Sequence, residues 1–110
     1  MTEAQKAETI ARLNDAHRRQ PGVGWVMTSG VQALGRLGVA RAVAAVASFA
    51  AFGEDNDPYG ERDFGAFDID GRRLFWKIDY YDLSLTAASP DPANPAVTRR
   101  VLTLMLAEEY

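Results

Sequence analysis

The chain has 110 residues, a length that fits one domain with a single core and little surplus. Its apolar fraction of 47% and charged fraction of 25% are those of a folded globular protein and exclude a mostly disordered chain. A net charge of -3 argues against direct nucleic-acid or anionic-membrane binding, which needs a surplus of Lys and Arg, and the lack of cysteine excludes disulfides and thiolate metal sites.

Thr2 to Gln20 predicts a first helix. Thr2 and Gln5 have capping-box spacing, in which each side chain satisfies an orphan amide of the first turn. Ile10, Leu13 and His17 recur at helical spacing as its apolar stripe, and Pro21-Gly22 stops it. The segment is polar, without the apolar run of a signal peptide. Val23 to Thr28 reads as a strand. Thr28 or Ser29 then caps a short helical piece, Val31 to Leu37, interrupted by Gly35 and bounded by Gly38. Val39 to Phe52 is the most apolar helix, apolar nearly all round and so expected at the centre of the core, with Gly53 as its left-handed terminator. The run Leu37 to Phe52 contains Arg41 and falls short of the roughly 20 residues that span a bilayer, so a soluble cytoplasmic protein is expected.

The unusual residue choices concentrate between Glu54 and Asp82. An acidic loop, Glu54 to Asp63, leads into a hairpin from Phe64 to Tyr81. Asp70-Gly71 is a two-residue turn signal, because a type I′ turn needs positive φ at both positions. That turn sets the register: Ile69 opposite Arg72, Phe67 opposite Leu74, Gly65 opposite Trp76 and Phe64 opposite Lys77. Phe67, Ile69, Leu74, Trp76, Ile78 and Tyr80 then share the core-facing side, with Trp76 over Gly65 where a larger residue would clash. Phe64, Ala66, Phe75 and Tyr81 share the other side with Asp68, Arg73, Lys77 and Asp79. Two arrangements suit that mixture: a recognition surface, or a sheet covered on both faces by helices. After the loop Asp82 to Asn94, Asn94 and Pro95 are expected to start a last helix with Val97, Val101, Leu104 and Met105 as its buried stripe. Glu108 and Glu109 would fray its end, where the helix dipole disfavours negative charge.

The acidic loop resembles the first half of a calcium loop at Asp55, Asp57 and Gly60, but Tyr59 and Ala66 stand where ligands belong. Asp55, Asp57, Glu61 and Asp63 are its metal-ligand candidates. The same residues also make ordinary turn chemistry that needs no ion. His17 is the only histidine and reads as packed or dipole-favoured. No serine sits in a nucleophile elbow, and no glycine group has phosphate-loop spacing, so no catalytic residue and no cofactor is assigned.

Asp57-Pro58-Tyr59-Gly60-Glu61-Arg62-Asp63-Phe64-Gly65-Ala66-Phe67, then Phe75 to Asp82, then Val101 to Tyr110, resemble a family of small bacterial proteins built on a domain of unknown function, DUF3768. The family often carries His at the position of Arg62, so this chain lacks the residue that would favour a site there. The resemblance brings no established activity. It implies accessory proteins of plasmids and other mobile elements, and through them inhibition of a restriction or CRISPR system.

The expectation is therefore a single α+β domain over residues 1–110: a small antiparallel sheet, made of hairpin 64–81 plus a strand near 23–28, packed by about three helices. Its expected function is non-enzymatic binding of a partner protein through Asp55, Asp57, Tyr59, Glu61, Phe64, Phe75 and Tyr81, charge steering the encounter and aromatic rings supplying area. The alternative is a divalent-metal-dependent enzyme or metal-binding protein using the loop 54–63. A homo-oligomer, meeting through the outer hairpin face, is left open.

Overall fold

The computed structural model describes residues 1–110. In chain order the elements are α1 (Glu3–Arg18), β1 (Trp25–Met27), α2 (Ser29–Gln32), α3 (Gly35–Ser48), β2 (Phe64–Ile69), β3 (Arg72–Tyr81) and β4 (Arg99–Leu106). Single 3-10 turns lie at Pro95–Val97 and Ala107–Glu109.

The hairpin forms as its turn dictates. Asp70 and Gly71 have φ of 50° and 80°, both in the left-handed region that a type I′ turn requires. The register is the expected one throughout, from Ile69 opposite Arg72 to Phe64 opposite Lys77. Leu74, Trp76 and Ile78 are buried on one face with Ile69, and Phe67 packs against them. A Cβ on Gly65 would lie 2.3 Å from Trp76 Nε1 and 2.9 Å from Phe49, so the glycine is there because the indole lies on its bare Cα.

The fold is α+β, but the sheet has four strands in the order β1-β4-β3-β2 and is mixed. The hairpin and β4 form an antiparallel meander, while β1 runs parallel to β4, Trp25 opposite Leu102 and Met27 opposite Leu104. The expected last helix is β4. Asn94 does cap a turn, its side chain accepting from Ala96 N, and Pro95 does take the first position. The turn then gives way to a strand, because Leu102, Leu104 and Leu106 alternate and insert into the core beside Trp76 and Ile78. The opposite face of β4 carries Val101, Thr103 and Met105. A segment apolar on both faces carries no clear period, so helical spacing and strand alternation fit it equally well. The end does not fray: Glu109 Oε1 accepts from Thr28 Oγ1 at 2.6 Å and Leu106 N at 2.8 Å, and Oε2 accepts from Gly30 N at 3.0 Å.

Two helix readings also shift. The central helix runs from Gly35 to Ser48 rather than Val39 to Phe52. Phe49 leaves helical geometry (φ -58°, ψ 132°), which lets Phe49 and Phe52 fold edge-on to Trp76 at 5.7 and 6.1 Å. Gly53 is therefore not its terminator. On α1 the buried face is Ile10, Ala11, Asn14, Asp15 and Arg18, rotated from the expected stripe of Ile10, Leu13 and His17. Arg18 is 2% exposed; its guanidinium sits 5.5 Å over the Phe52 ring and 5.7 Å over Trp76 and donates to the carbonyls of Val46 and Ala47.

Val31, Ala42 and Val46 of α2 and α3 join the same core cluster as Leu74, Trp76 and Leu104. Asn14 and Arg18 of α1 reach Tyr80 and Trp76, which face the same way. All three helices thus pack on one face of the sheet, and none lies on the other. No helix is long and apolar enough to cross a membrane.

Candidate functional site

The open face of the sheet is set by alternation along its strands. Phe64, Ala66 and Asp68 of β2, Phe75, Lys77, Asp79 and Tyr81 of β3, and Val101, Thr103 and Met105 of β4 share it. The rings of Phe64 and Phe75 are 5.3 Å apart. Tyr110, delivered by the turn that Glu109 anchors, meets Phe75 edge-on at 5.8 Å and is itself 74% exposed. These distances suit favourable aromatic pairs, worth about 0.5–1.5 kcal/mol each beyond area burial. Arg73 with Asp68 and Lys77 with Asp79 form solvent-facing ion pairs around the cluster, at 3.4 and 2.9 Å. Such pairs contribute about 1 kcal/mol at most and serve orientation more than stability. The hydrogen bond from Lys77 to Asp79 holds its ammonium above the usual lysine range.

On the opposite, helical side a buried polar network holds the acidic loop. Asn14 Nδ2 donates to the Glu61 carbonyl at 2.9 Å and to the Tyr80 hydroxyl at 2.8 Å. Tyr80 donates in turn to Glu61 Oε1 at 2.8 Å, and Arg100 Nε donates to Asn14 Oδ1 at 2.7 Å. The Arg100 guanidinium stacks 5.2 Å over the Tyr80 ring. Burial drives the Tyr80 phenol far above its usual range, so it stays protonated, donating its proton to Glu61 while its oxygen accepts from Asn14. Burial also lowers Arg100 and, at the loop's end, raises the Asp63 carboxyl. Next to this network Asp15 bridges Arg18 and Arg62. The arrangement contains no activated nucleophile. It ties loop, α1 and sheet together.

Within the loop the carboxylates are dispersed. Asp57 Oδ1 accepts from Arg62 N at 2.9 Å, which supports the positive φ of 54° at Arg62. Asn56 Oδ1 accepts from Gly53 N at 2.8 Å, and Asp57 N donates to Gly53 O at 2.8 Å. This is the turn chemistry of the residues themselves. Among the metal-ligand candidates, Asp55 is exposed, Asp57 closes the turn, Glu61 receives Tyr80 and Asp63 is half-buried. No three acidic or histidine side chains converge where they could hold a cation.

The expected contact residues therefore divide. Phe64, Phe75 and Tyr81 lie on the open face. Tyr59, 81% exposed, lines a shallow groove of about 270 Å³ along α1 with Ala7, Ile10 and Glu61, on the helical side. His17 is half-buried, its Nε2 3.0 Å from Gly24 O, a packing role. Sequence reasoning missed Tyr110, because a terminal helix would have carried it elsewhere. It also missed Asn14, Asp15 and Arg18, although their spacing from Ile10 (i+4, i+5, i+8) marks one helical face.

No curated protein and no solved structure matches the chain. The family described as protein of unknown function (DUF3768) matches residues 27–109, which run from the last residue of β1 to the last turn and leave out α1 with its share of the polar network. The chain belongs to that family.

Proposed function

We propose that the protein is a non-enzymatic accessory protein that docks a partner protein on the open face of its sheet. The observation that carries this reading is that no helix covers Phe64 and Phe75, so their cluster with Tyr110 stands at the surface among paired charges. Aromatic anchors ringed by polar groups are what interface centres are made of. Tyr81 extends the surface along β3. The exposed carboxylates of the loop, Asp55 among them, add negative charge that steers a basic partner at long range. A nucleic-acid-handling host protein has such a basic groove. Inhibition of a restriction or CRISPR system, the role implied by the family resemblance, fits that chemistry.

The test compares Phe75→Ala with the wild type in cells that carry an active restriction or CRISPR system, reading plasmid transformation. The wild type should protect the plasmid, and Phe75→Ala should lose at least about tenfold of that protection, the equivalent of a contact worth about 1.4 kcal/mol. The variant should stay folded in a thermal melt, its loss of stability limited to roughly the two aromatic pairs with Phe64 and Tyr110. Full protection by the variant, or unfolding in place of lost binding, would remove the open face from the reading.

A further inference from the structure

We infer that two copies of this chain pair through the free edge of β2, joining their sheets into one continuous sheet. This does not rest on docking at the open face, because it uses the main chain of the edge. β2 is the last strand on its side. The two-residue turn and the bond from Ile78 N to Asp63 O at 2.8 Å set the phase of the ladder. Gly65, Phe67 and Ile69 turn their main-chain groups toward β3; Phe64, Ala66 and Asp68 turn theirs outward. No turn or loop backbone group bonds to those outward positions.

The other edge is treated differently. β1 has three residues, Gln32 Nε2 covers the Met27 carbonyl at 2.9 Å, and Trp25 N is taken by Gly22 O at 3.0 Å. β2 is twice as long, with six residues, and has no proline, no lysine and no bulge, the usual means of keeping an edge single. Asp68 is its one charge.

A second copy fits this edge in one register. Antiparallel pairing about a two-fold axis at Ala66 engages every outward N–H and C=O from Phe64 to Asp68; a shift either way leaves some unpaired. In that register Ala66 meets the partner's Ala66, and the small side chains allow close approach at the axis. Phe64 meets the partner's Asp68, so the two Asp68 carboxylates never face each other and each keeps its own Arg73.

Sedimentation or light-scattering mass, measured up to millimolar protein, tests this. The mass should climb from the 12.0 kDa of one chain toward twice that value. Ala66→Pro removes the central N–H and should hold the mass at one chain. If that variant fails to fold, Ala66→Lys does the same work by setting two ammonium groups against each other at the axis. Phe75→Ala should leave the pairing intact. Amide exchange at Ala66 should slow as concentration rises. A constant monomer mass would overturn the proposal and leave the edge to an extended segment of a different protein. Dimers that survive a folded Ala66 variant would overturn it as well, by placing the contact elsewhere.

Discussion

The two faces of this sheet are built from the same three strands by opposite rules. The helical face buries Leu74, Trp76, Ile78, Leu102 and Leu104 and then adds polar groups: charged Arg18 and Asp15 and the amide of Asn14 enter it from α1 and are satisfied there. The open face keeps its rings half-exposed and its ion pairs in solvent. Polar groups on the first face act where the dielectric is low, so removing one is expensive. On the second they are screened by water, so removing one changes recognition more than folding. Burial decides what a residue type does, and the two faces show it within one strand pair.

Substitutions sharpen that contrast. The largest effect is expected from Arg18→Ala, which strips the buried Asp15 of one of its two cations and leaves the carbonyls of Val46 and Ala47 without their donor. Breaking a buried pair costs about 3–5 kcal/mol, and a urea melt should register it as a drop in midpoint with unchanged slope. Gly65→Val comes next. The new side chain would drive into Trp76 and Phe49, and overpacking of this kind costs about 1–3 kcal/mol or more. A near-wild-type melt for either variant would break the contrast. Phe75→Ala on the open face should cost less stability than both.

The smallest effect is expected at Asp63, whose carboxyl burial raises. The folded state then binds its proton more tightly than the unfolded chain. Stability is lost as pH climbs from the unfolded value of 3.8 through the folded one. Asp63→Asn should therefore raise the melting temperature slightly at neutral pH, and the gain should vanish below pH 3.8. A gain that grew in acid would reverse the sign. The exposed Glu109 runs the other way. The Thr28 hydroxyl holds its carboxyl below the usual range, so its contribution is present above the unfolded value and lost as pH falls through the folded one.

Legibility in the sequence followed the reach of the interactions. Asp70-Gly71 carried the whole hairpin, because a tight turn specifies the register of everything paired to it, and Gly65 under Trp76 followed from that register. The caps are likewise local: Thr2 was readable, Thr28 was one of two candidates with Ser29, and Asn94 was readable as a cap although it opens a turn and not a helix. The candidate site was only half legible. Phe64, Phe75 and Tyr81 do lie on the open face, but Tyr59 and Glu61 belong to the helical side, since Glu61 is drawn to Tyr80 and Asn14 from distant parts of the chain. Nothing near Glu61 in sequence points to those partners.

By itself the sequence determined the fold class, the strand pair, its register and the two sets of side chains that alternation creates. Tertiary structure alone decided that Arg99–Leu106 is a strand, that β1 lies parallel beside it, and that every helix gathers on one face. Short-range rules act between residues a few positions apart and can be read along the chain. A segment apolar on both sides, such as Val101 to Leu106, takes its period from whichever neighbour it finally packs against, and that neighbour is named only when the chain has folded.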